Sequence, residues 1–154
     1  MIDFGALKRW GFILAALVIV IAAGNAAALC VTGQTKMREG PGNHYKARWD
    51  IYAFTPVVRV GTSLSGEWYA VRDSDGDVGW VRKRLLTSRY RCAVVTADEV
   101  NVRTGPGTRY PLSAAGKAMK YYSYRVVQQK KQWGKLSDEW GNRGWVHRDY
   151  LWIQ

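Results

Sequence analysis

The chain has 154 residues, a formal net charge of +11 and a hydrophobic content of 47%, so it is long enough for one ordinary domain or two small ones and too apolar to be disordered. Two His and two Cys leave little for a metal site or a catalytic constellation, and sixteen Gly, eight Trp and nine Tyr favour short strands with tight turns over helices.

Residues 1–28 have the pattern of a secretory signal peptide. Lys8 and Arg9 provide a basic start, an apolar run follows from Trp10 to Ala23, and small residues lead up to Ala28. We therefore expect cleavage after Ala28 and a periplasmic or secreted mature chain without a membrane span. The alternative is an uncleaved anchor, for which the apolar run is short.

The two cysteines, Cys30 and Cys92, both lie in the mature chain. An even pair in an exported protein usually forms a disulfide bond, so we expect one here. Two buried free thiols are the alternative.

The motifs of the mature chain recur at a constant offset of 65 residues, from which we expect an internal repeat that aligns without a gap. This repeat predicts two tandem domains, residues 29–88 and 92–154. The paired positions are Arg38 and Arg103, Gly40 and Gly105, Pro41 and Pro106, Gly42 and Gly107, Tyr45 and Tyr110, Trp68 and Trp133, and Trp80 and Trp145.

Each repeat has the pattern of a β-domain, because short alternating runs are separated by Gly-rich turns. No stretch of the mature chain has a helical period, which favours a small barrel or sandwich. In chain order, the predicted strands are Pro56 to Val60, Trp68 to Arg72, Trp80 to Arg82, Val100 to Arg103, Tyr124 to Val127, Trp133 to Leu136 and Trp145 to His147.

The segment VNVRTGPGTRYP, followed by GWVHRDYL, resembles the bacterial SH3 domain, and KMREGPGNHY with GWVRKRLL gives a weaker second copy. The resemblance covers nearly all of residues 30–154. It implies an all-β chain of two tandem SH3-like barrels, each with five to six strands. It also implies an exported module of the kind often attached to cell-wall enzymes and thought to bind peptidoglycan, here without a catalytic domain.

The motif residues have structural explanations. Gly-Pro-Gly suits a sharp turn, because Pro presets φ and Gly permits positive φ. Arg38 and Arg103 are expected to bond loop carbonyls, with ligand contact as the alternative. Trp80 and Trp145 are expected to fill the two small cores.

The candidate ligand residues are aromatic and basic. Tyr45 and Tyr110 follow the rigid turns and are favoured, whereas Trp68 and Trp133 fit half-exposed packing as well as a ligand platform. The basic candidates are Arg82, Arg84, Lys130 and Lys131.

No motif points to catalysis or to a cofactor. The two His do not align in the repeat, and neither Cys lies in a nucleophile motif. Residues 73–77 are rich in Asp, but the spacing does not match a calcium loop, so we expect an acidic hairpin turn and no metal.

Charge is distributed unevenly between the repeats. Residues 29–77 carry six basic and six acidic side chains, whereas residues 78–154 carry fifteen and five, a net +10. A surface of one sign attracts polyanions, although it also serves solubility. We expect an exported, non-catalytic module that binds peptidoglycan or another anionic envelope polymer, and no nucleic acid. The alternative is an adaptor for an envelope protein or a regulator of a cell-wall hydrolase.

Overall fold

Gly-rich turns and short alternating strands build two antiparallel sheets of seven strands each in the computed structural model, which describes residues 26–154. Residues 1–25 of the predicted signal peptide lie outside the described residues. Ala27 and Ala28 belong to the first strand, where they pair with Arg59 and Val58. In residues 26–154 no helix has the length and apolarity that a membrane crossing requires.

The first barrel has the sheet order β3-β2-β6-β5-β4-β1-β7. A three-residue 3-10 helix, Lys83–Leu85, precedes its last strand. The strands are β1 (Ala27–Val31), β2 (Thr35–Arg38), β3 (Ala47–Ile51), β4 (Pro56–Thr62), β5 (Trp68–Arg72), β6 (Val78–Arg82) and β7 (Leu86–Thr87).

The second barrel repeats this order as β10-β9-β13-β12-β11-β8-β14, again with a 3-10 helix, Arg148–Tyr150, before the last strand. The predicted all-β class is therefore confirmed, with seven strands in each sheet where the resemblance implied five to six; the last strand of each barrel has only two or three residues. The strands are β8 (Cys92–Val95), β9 (Glu99–Arg103), β10 (Leu112–Met119), β11 (Ser123–Lys130), β12 (Trp133–Ser137), β13 (Arg143–His147) and β14 (Leu151–Ile153).

Each core is built mainly from aliphatic side chains. Met37 is the largest fully buried residue of the first core, and Leu136 is its counterpart in the second. The first core holds Val31, Met37, Ile51, Val57, Val71 and Val81, and the second holds Ala93, Val95, Val100, Val102, Ala118, Tyr124, Leu136 and Val146.

The prediction that Trp80 and Trp145 fill the cores is wrong for Trp80, which is only half-buried. Trp145 is buried, at 7% exposure, but it lies outside the cluster that forms the second core. Val81 and Val146 belong to the two clusters, and successive side chains of a strand face opposite sides of the sheet. The Gly-Trp-Val motif therefore directs its valine into the core cluster and its tryptophan to the opposite side of the strand.

The two repeats do not align without gaps. Ala47 and Leu112 hold the same register position opposite the motif arginines, at an offset of 65. Asp50 and Lys117 hold the next shared position at an offset of 67, so β10 contains two extra residues, at a bulge. The turn between β11 and β12 is two residues shorter than its counterpart, which restores the offset at Trp133.

The predicted disulfide bond between Cys30 and Cys92 is confirmed. It joins β1 of the first barrel to β8 of the second, with 5.9 Å between the Cα atoms, and both residues are buried. The barrels are therefore cross-linked at the point where the connecting segment, residues 88–91, meets the second barrel.

Weaker contacts accompany the disulfide at this junction. Two of them are hydrogen bonds, one between Thr55 Oγ1 and Ser123 Oγ (3.1 Å) and one that the Tyr121 hydroxyl donates to Asp75 Oδ2 (2.8 Å). The third is an edge-to-face contact between the rings of Phe54 and Tyr90, with 5.6 Å between centroids.

Alkaline pH is expected to destabilise the second barrel through Tyr124. Burial raises the pKa of this phenol to about 12, from a usual value of 10.0, and the charges of Asp138 and Tyr122 act in the same direction. The unfolded chain loses this proton near pH 10 while the folded chain keeps it, so stability falls as pH rises from 10 towards 12. Between pH 10 and pH 12, the denaturant midpoint should fall less steeply with pH for Tyr124→Phe than for the unmodified protein. The same pH dependence in both proteins would contradict the assignment to Tyr124.

Candidate functional site

The Gly-Pro-Gly loops have the same geometry in both barrels. Arg38 Nη1 donates to the Tyr45 carbonyl at 2.8 Å, and Arg103 Nη1 donates to the Tyr110 carbonyl at the same distance. This is the bond to a loop carbonyl that the sequence predicts for both arginines. Because a charged donor makes a strong hydrogen bond, each arginine holds its loop and the tyrosine that ends it.

The loop glycines create the surface on which each tyrosine ring lies. A Cβ added at Gly40 or Gly105 would fall inside the van der Waals radius of the ring of Tyr45 or Tyr110. Glycine is therefore required by close approach of the ring, and the expectation of a positive φ is wrong, since none of the four motif glycines has one. Pro41, Gly42, Pro106 and Gly107 complete the two turns.

A cleft of about 400 Å³ lies beside the second of these loops. It brings together four of the predicted ligand residues, Tyr110, Lys130, Lys131 and Trp133. We call it the tyrosine cleft; its remaining lining residues are Pro106, Arg109, Gln132 and His147.

The tyrosine cleft combines two flat rings with a cationic rim. Tyr110 is 37% exposed, and the Arg109 guanidinium lies 5.9 Å from its ring centroid. The Trp133 ring is half-buried and meets the His147 ring edge-to-face at 5.2 Å between centroids. Such a surface offers apolar ring faces for stacking together with positive charge for anionic groups.

The corresponding tryptophan of the first barrel is not accessible. Trp68 is 5% exposed, and the Arg82 guanidinium lies 4.8 Å from its ring centroid. The prediction of a ligand platform is therefore wrong for Trp68, because a cation–π contact with Arg82 covers it. Arg82 itself is occupied by that contact.

The other first-repeat candidates are dispersed. Tyr45 is exposed and its ring lies against His44, at 4.3 Å between centroids. Arg84 is exposed in the 3-10 helix after β6 and lines neither the tyrosine cleft nor the groove described next.

A second cavity, of about 580 Å³, lies where the connecting segment meets the second barrel. We call it the linker groove. Its lining includes Tyr90 and four arginines, Arg89, Arg91, Arg125 and Arg143. The sequence shows a local excess of basic residues but gives no sign that these four converge, because they come from three separate elements.

His147 also contributes to the tyrosine cleft, although the sequence does not single it out, because it aligns with Arg82 rather than with the other histidine. Arg82 and His147 nevertheless lie against equivalent tryptophans. The Arg82 guanidinium lies over the Trp68 ring, and the His147 ring meets the Trp133 ring edge-to-face.

Lys131 has a backbone conformation that favours glycine, with φ +52°. It occupies the shortened turn between β11 and β12, whereas the longer turn of the first barrel has Gly66 at φ +74°. A positive φ costs a residue with a Cβ about 1–2 kcal/mol. Backbone strain of this kind is often found at binding sites, and here it lies on the rim of the tyrosine cleft.

The Asp-rich segment is a hairpin turn, as predicted. Asp73 Oδ1 accepts from the backbone N–H groups of Asp75 (3.1 Å) and Asp77 (2.9 Å). Burial raises the pKa of Asp73, although these hydrogen bonds oppose the shift. Among residues 26–154 no group of three or more metal-binding side chains is placed to hold an ion.

The repeated strand order and the paired arginine–tyrosine loops define a tandem of two small β-barrels of one type. The chain belongs to the bacterial SH3 domain family, which matches residues 32–87 and 96–152. The resemblance inferred from the Gly-Pro-Gly and Gly-Trp-Val motifs is thus confirmed for both halves. The comparison with curated proteins gave no match.

Three solved structures are distantly similar. NlpC2 from Trichomonas vaginalis has 13% identity and a TM-score of 0.35, over 82% of this chain and 48% of that one. An NlpC/P60 family protein from Bacillus cereus ATCC 10987 has 10% identity and a TM-score of 0.38, over 83% and 56%. NlpC1 from T. vaginalis has 13% identity and a TM-score of 0.36, over 82% and 45%. The chain spans about half the length of these proteins.

Proposed function

We propose that this chain is an exported, non-catalytic module that binds cell-wall peptidoglycan through the tyrosine cleft. The observation that carries the proposal is the convergence of Tyr110, Trp133, Lys130 and Lys131 around one cavity. Membership of the bacterial SH3 domain family and the disulfide bond, which is typical of oxidising compartments, support an extracytoplasmic role.

The chemistry of the cleft suits a glycopeptide polymer. The faces of Tyr110 and Trp133 provide apolar contact for sugar rings or peptide side chains, while the two lysines attract the carboxylates of peptide stems. Because Lys130 and Lys131 are exposed, their contribution is mainly long-range and is screened by salt over about 8–10 Å.

The first barrel is assigned a supporting role. Trp68, the equivalent of Trp133, is covered by Arg82, and residues 29–77 carry no net charge. The disulfide then serves to hold this barrel against the one that binds.

Sedimentation of the mature protein with purified sacculi tests the proposal. Tyr110→Ala should weaken binding by about tenfold, the usual effect of truncating an aromatic anchor. The matched control is Tyr45→Ala, the same loop position in the first barrel, which should bind like the unmodified protein. Equal losses from both variants, or retention of full binding by Tyr110→Ala, would contradict the assignment.

Lys131→Gly separates binding from folding. Glycine removes the strain at φ +52° but adds backbone entropy to the unfolded state, so we expect a net stabilisation of about 0.5–1 kcal/mol. The same change removes a charge from the cleft and should weaken sacculus binding, especially at low salt. A variant that gains stability in denaturant titration while it loses binding cannot have lost binding by unfolding.

A protein partner is the alternative outcome. If the sacculi do not retain the protein, and a pull-down from envelope extract returns one stoichiometric protein whose capture is lost in Tyr110→Ala, the cleft belongs to an adaptor.

A further inference from the structure

We propose that the linker groove is a second binding site, separate from the tyrosine cleft, and that it takes a phosphodiester-bearing anion. The groove, of about 580 Å³, is far larger than one small ion needs and falls within the usual range for ligand cavities. It accommodates a short segment of a chain with repeating charges.

The groove carries strong uncompensated positive charge. Arg89, Arg91, Arg125 and Arg143 line it, and no Asp or Glu does. In the part of the chain that the structure describes, none of the four forms a salt bridge. Four guanidinium groups without carboxylate partners constitute a site for an oxyanion, because arginine presents paired donors to phosphate or carboxylate oxygens.

Two of the arginines, Arg125 and Arg143, lie on either side of the small side chain of Ser137, which forms the base of a slot. Ser137 pairs with Arg125 on one side and with Arg143 on the other. Side chains directly opposite each other in antiparallel strands lie on one face, with Cβ atoms about 5 Å apart, so the two arginines are separated by about 10 Å across the serine. That separation leaves room for one anionic group between the guanidinium groups.

The wall formed by the connecting segment is held in place. The Arg125 guanidinium lies 5.0 Å from the Tyr90 ring centroid, and Arg91 Nη1 donates to Gln129 Oε1 at 3.2 Å. Val126 N donates to the Arg91 carbonyl at 2.9 Å, which ties the segment to β11. A site whose donors are already oriented loses less conformational entropy when a ligand binds.

The fold itself does not require these charges. Val58, Arg72 and Val78 hold the register positions of Arg125, Ser137 and Arg143 in the first barrel. There a central arginine stands between two valines, whereas in the second barrel a small serine stands between two arginines. The inversion opens a slot only in the second barrel.

The distribution of the donors over the fold favours phosphate over carboxylate. Arg89 and Arg91 belong to the connecting segment, Arg125 to β11 and Arg143 to β13, so the donors come from three separate elements. A carboxylate accepts in one plane, whereas the oxygens of a phosphodiester are arranged tetrahedrally. Burial raises the pKa of Tyr90 by more than the charge of Arg125 lowers it. Tyr90 therefore remains a neutral phenol and adds an apolar ring face to the groove.

Calorimetric titration of the disulfide-bonded protein with a soluble glycerol phosphate polymer tests the proposal. Arg89→Gln combined with Arg143→Gln should weaken binding by at least about tenfold, because two charge-assisted hydrogen bonds are lost. Neither side chain holds another group in place, so the groove should keep its shape. The matched control, Arg72→Gln with Arg84→Gln, removes the same charge from exposed positions outside the groove and should change the affinity by less than about threefold.

The outcomes separate the sources of the ligand. Binding of the polymer points to a soluble phosphate-bearing chain, and binding of phosphatidylglycerol vesicles but not of phosphatidylcholine vesicles points to lipid headgroups; either one, if lost in the groove variant, supports the site. Equal losses in variant and control would overturn it, as would polyglutamate binding as tightly as the phosphate polymer. The groove variant should still bind sacculi from which phosphate polymers have been removed, because that binding is assigned to the tyrosine cleft. The proposals for the linker groove and for the tyrosine cleft can therefore be contradicted separately.

Discussion

Replacing both cysteines, as Cys30→Ala with Cys92→Ala, is expected to lower the free energy of unfolding by about 4 kcal/mol. The bond joins residues 62 positions apart, and the loop it closes contains nearly the whole first barrel. In the chain-entropy account, opening a loop of this length frees the unfolded chain more than the folded one. The loss is large against the 5–15 kcal/mol that is typical of a folded domain.

The contacts that remain at the junction are too weak to replace the bond. The Thr55–Ser123 and Tyr121–Asp75 hydrogen bonds are partly or fully exposed, and such bonds contribute about 0.5–1.5 kcal/mol each. The double variant should therefore unfold in two separable steps. Guanidinium titration of the double variant, compared with the oxidised and the reduced unmodified protein, measures the effect. Coincident curves for all three would show that the bond adds nothing to stability.

The sequence predicts the fold well because the decisive signals are local. Each Gly-Pro-Gly turn follows an alternating strand, and a Gly-Trp-Val strand follows about 40 residues later, in both halves. Among the strands that escaped prediction, β7 and β14 have two and three residues, too few for a period to be recognised, whereas β10 has eight residues but is interrupted by a bulge. The two extra residues in β10 and the two residues missing from the turn between β11 and β12 cannot be seen in the sequence, because together they leave the 65-residue offset between the repeats unchanged.

The candidate site was predicted less completely, because its residues meet only through tertiary structure. Tyr110 and Trp133 were identified as loop and strand aromatics, and the fold brings them to one cleft. Trp68 has the same local sequence context as Trp133, yet it is buried, because the residue across the strand pair is Arg82 instead of His147. No local pattern distinguishes these environments.

Met37→Ala should destabilise the first barrel by about 3 kcal/mol, within the 2–5 kcal/mol usual for truncating a buried Leu, Ile or Met. Met37 is fully buried, and a Cβ at Gly79 would come within 2.6 Å of its Cγ, so the surrounding packing is tight. Little relaxation into the cavity is expected, because the neighbours that would have to move are strand backbone and other core residues.

The matched comparison is Trp80→Ala in the same barrel. Tryptophan is the larger residue, and a rule based on size alone predicts the greater loss for it. Because the Trp80 ring is half-buried and outside the core cluster, its removal leaves no closed cavity and should cost less than the loss of Met37. Denaturant midpoints of the two variants decide the matter: a larger decrease for Trp80→Ala would return the tryptophan to the core, whereas the reverse order assigns the core to the aliphatic residues on the inward face of β2, β5 and β6.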